Sequence, residues 1–191
     1  MEVFSNYIHI SHNPEIASAL YDECKSILDR VNLDEKYLYG KTSYFDSGAK
    51  SIIEDSQLLR EFIIKNVVEY CQIVGLDIGQ SKPNITDFWI SDMYKHGHHD
   101  FHTHNMSHIS GTFYIRVEEN SSPIVFWGND FASDPWWNLK KSSFNRFNAA
   151  CWKIPVKDGM LLLWKSNIIH SVPPNESCSR LAASFNILLE C

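Results

Sequence analysis

The spacing of apolar residues divides the chain in two. Over residues 14–31 they recur at helical spacing, with Ile16, Leu20, Cys24, Ile27 and Leu28 on one face. Asn13 stands where an N-cap belongs, and Pro14 occupies the first helical position. A second helix is expected from about Ser56 to Val74. It would bury Leu59, Phe62, Ile63, Val67, Tyr70 and Val74 and stop at Gly75. Beyond Gly75 the period changes. Segments 85–94, 108–117, 123–127, 159–164 and 180–189 are short, β-branched or aromatic, and bounded by turn residues such as Lys157-Asp158-Gly159. Helices followed by antiparallel strands predict an α+β fold, a β-sandwich or jelly roll backed by N-terminal helices. No repeat or low-complexity linker interrupts the chain. Residues 1–191 therefore read as a single domain, with 1–80 as helical support and 81–191 as the jelly-roll core.

Alternation assigns faces within two strands. Ile109, Gly111, Phe113, Ile115 and Val117 share an apolar side, leaving Ser110, Thr112, Tyr114 and Arg116 on a polar one. The last strand repeats this, with Leu181, Ala183, Phe185, Ile187 and Leu189 opposite Arg180, Ala182, Ser184 and Asn186. A single polar face is ordinarily solvated. Two neighbouring ones could instead line the interior of a jelly roll and converge on a ligand. Periodicity does not choose between these readings. Segment 128–150 fits neither period, and irregular stretches of that length are usually functional or mobile. Tryptophans in such a chain are more often core, but Trp136-Trp137 on this segment could grip a substrate.

Composition narrows the class. Apolar residues at 44% and charged residues at 21% are ordinary globular usage, which excludes a disordered chain. The net charge of −6 argues against a broad basic nucleic-acid face. Five scattered cysteines without a CxxC pair argue against a disulfide framework, and a reducing, cytoplasmic setting is expected. The N-terminus has no signal-peptide pattern and no run reaches transmembrane length, so no membrane association is expected.

One short stretch, "HGHHDFHTHNMSH" at 96–108, holds six of the nine histidines. His102 and His104 form an HxH pair, which on a strand would point both imidazoles one way; His98 and Asp100 share that parity. A metal that keeps positions open for substrate needs three protein ligands. His170, in "SNIIHSVPPN", is the only histidine beyond that stretch, and Arg180 follows ten residues later on the polar side of the last strand. An arginine there could pair bidentately with a carboxylate.

The segments "HTHNMSHISGTFYI" and "DGMLLLWKSNIIHSVPPNESCSRLAASFN" resemble the Fe(II)/2-oxoglutarate-dependent oxygenases, in the group with an H-x-H-P-x-S-x-x-S-G-x-Y-Y-V motif. The likeness spans roughly 85–188. Asn105 replaces the motif proline, Trp164-Lys165-Ser166 replaces Phe-Pro-Ser, and Ala182 replaces a serine. The resemblance implies a double-stranded β-helix (jelly roll, cupin-like) that holds Fe(II) with 2-oxoglutarate beside it. It makes His102 and His170 metal ligands and Arg180 the clamp on the distal carboxylate of 2-oxoglutarate. Tyr114, Ser184 and Tyr94 are further candidates for holding the cosubstrate. His104 stands where most of the superfamily has Asp or Glu. Three ligand sets follow: His102, His104 and His170; His98, Asp100 and His170; or His102 and His170 alone, with water, chloride or cosubstrate completing the shell. The motif register favours the first.

The implied activity is that of a dioxygenase, a hydroxylase of an unidentified substrate. It would use O2 and convert 2-oxoglutarate to succinate. Because imidazoles bind metal only when neutral, activity is expected to fall below about pH 6. Two other classes remain: a three-histidine cupin-type dioxygenase without 2-oxoglutarate, and an inactive jelly-roll binding module.

Overall fold

The computed structural model describes residues 6–31, 37, 39–45, 50–79, 83–128, 136 and 138–189. In chain order the elements are β1 (His9–His12), α1 (Pro14–Arg30), β2 (Gly40–Thr42), α2 (Lys50–Asp55), α3 (Gln57–Ile73), β3 (Pro83–Met93), β4 (His99–His102), β5 (Ile109–Val117), β6 (Ile124–Trp127), β7 (Cys151–Ile154), β8 (Met160–Lys165), β9 (His170–Val172) and β10 (Arg180–Leu189). The strands form a six-stranded sheet, β1-β8-β5-β10-β3-β2, and a four-stranded sheet, β4-β9-β6-β7, with antiparallel pairing. This is the jelly roll that the change of period predicts.

Both long helices begin where their caps place them. The Ile16 N–H donates to the Asn13 side chain at 3.1 Å, and the Leu59 N–H donates to the Ser56 hydroxyl at 3.3 Å. Each bond satisfies a donor that the first helical turn would leave orphaned. Gly75 takes a φ of 75° after α3, a conformation that costs glycine little. Among the described residues, no helix is long and apolar enough to cross a membrane.

The large sheet has two buried faces. Its outer face packs Ile109, Phe113, Ile115, Leu181, Ala183, Phe185 and Ile187 against Leu20 and Cys24 of α1 and Ile63 and Val67 of α3. Its inner face sets Tyr114, Leu162, Trp164 and Ala182 against Ile124, Phe126 and Ile154. The polar sides of β5 and β10 therefore face the space between the sheets. Arg116 departs from the alternation. A register shift in the β5–β10 ladder turns it to the outside, where it stacks over Tyr21 of α1 and pairs with Asp158 at 3.3 Å.

The first third of the chain is more than helical support. It supplies β1 and β2, the two edges of the large sheet, and the short helix α2. These elements have three to six residues, too few for a period to register. The same brevity hides β7 and β9.

Candidate metal centre

His102 on β4 lies opposite His170 on β9, with ring centroids 4.1 Å apart. His104 falls two residues past the end of β4. Its N–H donates to the Ser166 carbonyl at 2.9 Å, which swings its ring back over the same point. The His104 and His170 rings lie within 8° of parallel, with Nε2 atoms 3.3 Å apart. One ligand atom from each of the three histidines lies within 4.8 Å of the others.

The tautomers follow from the partners. Nδ1 of His102 lies 2.7 Å from the Asp100 carbonyl, and Nδ1 of His170 lies 3.0 Å from the Ile168 carbonyl. A carbonyl oxygen only accepts, so each Nδ1 carries the proton and each Nε2 presents a lone pair. With metal–nitrogen bonds of about 2.1 Å, neighbouring ligand nitrogens sit about 3.0–3.4 Å apart. The 3.3 Å between His104 and His170 is one edge of such a polyhedron.

The electrostatics also suit a cation site. Burial, then the nearby His102, pushes the His170 imidazole down to about 3 and the His104 imidazole down to about 4. Both rings are therefore neutral ligands well below pH 6. The expected loss of activity below pH 6 rests on ordinary imidazole values, which these two do not have.

His98 and Asp100 are not part of this group. They sit 3.7 Å from one another, and the Asp100 side chain is 91% exposed. The reason is a bulge. Three steps along β4, from His99 to His102, match two along β9, from Val172 to His170. Alternation fails there. His99 lines the cavity, 5.7 Å from the Tyr37 ring and 6.1 Å from the His102 ring. Burial, then the Arg180 charge, pushes its imidazole down to about 3.

The histidines open into a cavity of about 730 Å³ between the sheets, within the range of small-molecule sites. Arg180 lies in it, almost fully buried. Its Nε donates to the Ser122 carbonyl at 3.0 Å and its Nη2 to the Tyr114 hydroxyl at 3.1 Å. Among the described residues no carboxylate pairs with it. A buried guanidinium lacking an anion is costly, so the site fits a ligand carboxylate. Ser184, hydrogen-bonded to Thr112 at 3.1 Å, lies on the cavity floor together with Tyr114.

Tyr94 is placed differently. The cavity side of β3 carries Asp87, Trp89, Ser91 and Met93; Tyr94 has the opposite parity and does not line the cavity. Tyr37 does. Its hydroxyl is buried with no partner at hydrogen-bonding geometry, and burial pushes it up to about 12 against the opposing pull of the Arg180 charge and of the nearby Ser91 hydroxyl. Tyr37 and His99 are the residues sequence reasoning missed. The first sits outside any periodic element and the second is displaced by the bulge. None of the described part of 128–150 lines the cavity; Trp136 is exposed, and Trp137 lies outside the described residues.

The family model described as "Putative 2OG-Fe(II) oxygenase" matches residues 87–186. No curated protein matches the chain. Several solved structures share its fold at low identity. An oxidoreductase of the 2OG-Fe(II) oxygenase family from Burkholderia pseudomallei superposes with a TM-score of 0.62 at 8% identity, covering 96% of this chain and 84% of that one. A Pseudomonas putida prolyl-4-hydroxylase gives 0.62 at 12%, covering 98% and 95%. HygX from Streptomyces hygroscopicus, solved with nickel and 2-oxoglutarate bound, gives 0.62 at 11%, covering 95% and 82%. The family match spans all three histidines and Arg180, and on that ground the chain belongs to the 2OG-Fe(II) oxygenases, whose cofactors are Fe(II) and 2-oxoglutarate.

Proposed function

We propose that the protein is a hydroxylase whose iron is held by His102, His104 and His170 and whose 2-oxoglutarate is held by Arg180. The observation that carries this reading is the meeting, in one cavity, of three imidazoles with a buried guanidinium that has no anion among the described residues. When bound, iron(II) and 2-oxoglutarate supply an O2-dependent decarboxylation to succinate and carbon dioxide that is coupled to substrate oxidation.

The chain's own residues do the rest. Arg180 seats the distal carboxylate of the cosubstrate. The Tyr114 ring, 4.9 Å from its guanidinium carbon, and the Ser122 carbonyl hold its fork in place. Tyr37 has a protonated hydroxyl free to donate to the same carboxylate. Ser184 and Thr112 line the floor between that end and the histidines. Neutral His104 and His170 leave their lone pairs available without first losing a proton. The volume left beside the cosubstrate is open to a small substrate or to one side chain of a larger one.

Succinate formation without added substrate tests the reading. The wild type is expected to release succinate only with Fe(II), 2-oxoglutarate and O2. His102→Ala should abolish it, and Arg180→Ala should reduce it at least a hundredfold at low 2-oxoglutarate. Equal rates in the wild type and Arg180→Ala would remove the clamp. Metal retained by His102→Ala would remove the centre.

A further inference from the structure

Beyond the residues assigned to metal and cosubstrate, the cavity has a further wall, framed by β3. Asp87 and Trp89 alternate onto the cavity side of that strand. The Trp89 ring stacks on His104, with centroids 5.8 Å apart and planes 22° apart. Tyr44, in the turn after β2, meets Trp89 edge to face at 5.2 Å, and Phe45 meets Tyr44 in the same way at 5.2 Å. All three rings line the cavity. A continuous aromatic run therefore leads from a histidine of the metal group out to solvent, where Tyr44 is 60% and Phe45 58% exposed. Tyr39, just before β2, and Phe101, on β4, line the same cavity and are also more than half exposed. Large rings left in water around a cavity mouth mark a surface that a ligand covers.

The charge on this wall has one sign. Histidines aside, the charged side chains of the described lining are Arg180, Asp87 and Asp100. Arg180 is assigned to the cosubstrate, and Asp100 is turned into solvent beside His98. Asp87 is exposed but held. The Thr86 hydroxyl donates to its Oδ2 at 3.1 Å, and Asn186 Nδ2 donates to the same oxygen at 3.2 Å. Its Oδ1 accepts from none of the described residues, and no lysine or arginine among them pairs with it. A fixed carboxylate with one oxygen open, one pleat from an aromatic wall, suits a cation. The carboxylate attracts the charge, and the rings attract it again through their quadrupoles while covering an alkyl stem. An anionic substrate would be repelled at the same place.

We infer that the substrate is an alkylammonium, a positive charge on an apolar stem, with the charge at Asp87 and the stem along Trp89 and Tyr44. This rests on the proposed function, whose substrate it specifies. The same chemistry comes as a free amine or as the lysine side chain of a polypeptide.

Binding to the anaerobic protein loaded with Mn(II) and 2-oxoglutarate tests it, followed by tryptophan fluorescence at pH 7. Two probes share a six-carbon stem and differ in charge, hexylammonium and hexanol. Hexylammonium is expected to bind about three- to thirtyfold more tightly, the combined effect of an exposed ion pair and a cation–π contact. Asp87→Asn keeps an oxygen for Thr86 and Asn186; it should weaken hexylammonium about two- to fivefold and leave hexanol unchanged. Trp89→Leu should weaken both probes. Raising the salt should weaken hexylammonium alone in the wild type, a check that needs no variant. N-acetyl-lysine N-methylamide distinguishes the sources: binding tighter than hexylammonium points to a polypeptide, weaker to a free amine. Equal affinity for hexylammonium and hexanol, a preference undiminished in Asp87→Asn, or no binding of hexylammonium would overturn the inference. Failure of the proposed function would appear separately, as Mn(II) retained by His102→Ala.

Discussion

Replacing Tyr37 by phenylalanine removes one oxygen, and its two consequences should have opposite signs. The hydroxyl is buried without a hydrogen-bond partner, beside the Arg180 charge. Leaving such a group unsatisfied costs a folded protein about 1–3 kcal/mol. Tyr37→Phe should therefore stabilise the cosubstrate-free protein by about 1 kcal/mol, which for a chain of this size raises Tm by about 2–4 °C. In the proposed site, with 2-oxoglutarate seated on Arg180, the same hydroxyl would donate to a carboxylate. A hydrogen bond to a charged group contributes about 1.5–3 kcal/mol, so the variant should bind 2-oxoglutarate about ten- to a hundredfold more weakly. Scanning calorimetry of the metal-free protein measures the first effect. Anaerobic titration of the Mn(II)-loaded protein with 2-oxoglutarate, followed by tryptophan fluorescence, measures the second. A tyrosine that serves only packing gives no such split. An unchanged 2-oxoglutarate Kd, or a lower Tm, would refute the reasoning.

Two further outcomes follow from the fold. His104 and His170 titrate near 4 and 3 when folded but near 6.5 when unfolded. Above pH 6.5 both states are neutral at these rings; below it the unfolded chain takes up protons that the native state refuses, so stability falls by about 1.4 kcal/mol per pH unit for each ring. Urea unfolding of the metal-free protein should thus lose up to about 4 kcal/mol between pH 7.5 and 5, with His170→Gln cancelling about half of the drop, and a flat profile would exclude buried neutral histidines. Gly111→Ala would put a Cβ within 2.4–2.7 Å of Phe185 and Leu163, and this overpacking should cost about 1–3 kcal/mol in denaturant melts while leaving Co(II) affinity unchanged.

The parts of the fold that were legible in the sequence are those long enough to carry a period. The helix from Pro14 owes its legibility to Asn13 and to five apolar residues on one stripe, and the structure buries four of them: Leu20, Cys24, Ile27 and Leu28. The strands around Phe113 and Phe185 alternate for eight residues or more, so their faces could be assigned before their partners were known. What alternation leaves open is which polar face meets water. Packing decides that. With α1 and α3 covering the apolar side of β5 and β10, Thr112, Tyr114, Arg180 and Ser184 have only the interior to face. Arg180 could be picked out because an arginine on that side needs an anion. Tyr37 offered no such signal, since neither pattern nor motif marks a lone tyrosine ahead of a three-residue strand.

The histidine-rich stretch shows why crowding alone is poor evidence. Strict alternation from His98 would give His98, Asp100, His102 and His104 one common side. The extra residue in β4 breaks that set between His99 and His102. Its upstream half inverts, so His99 turns in and the His98–Asp100 pair turns out, while His102 keeps its place opposite His170. His104 then reaches the same point by a different route. It lies past the end of the strand, anchored through its backbone to Ser166 and stacked on Trp89. The metal group therefore depends on one bulge and one loop anchor rather than on a repeating pattern. A site built this way can take an imidazole at the third position because the neighbouring elements, Trp89 of β3 and Ser166 after β8, fix the ring's plane independently of the strand that precedes it.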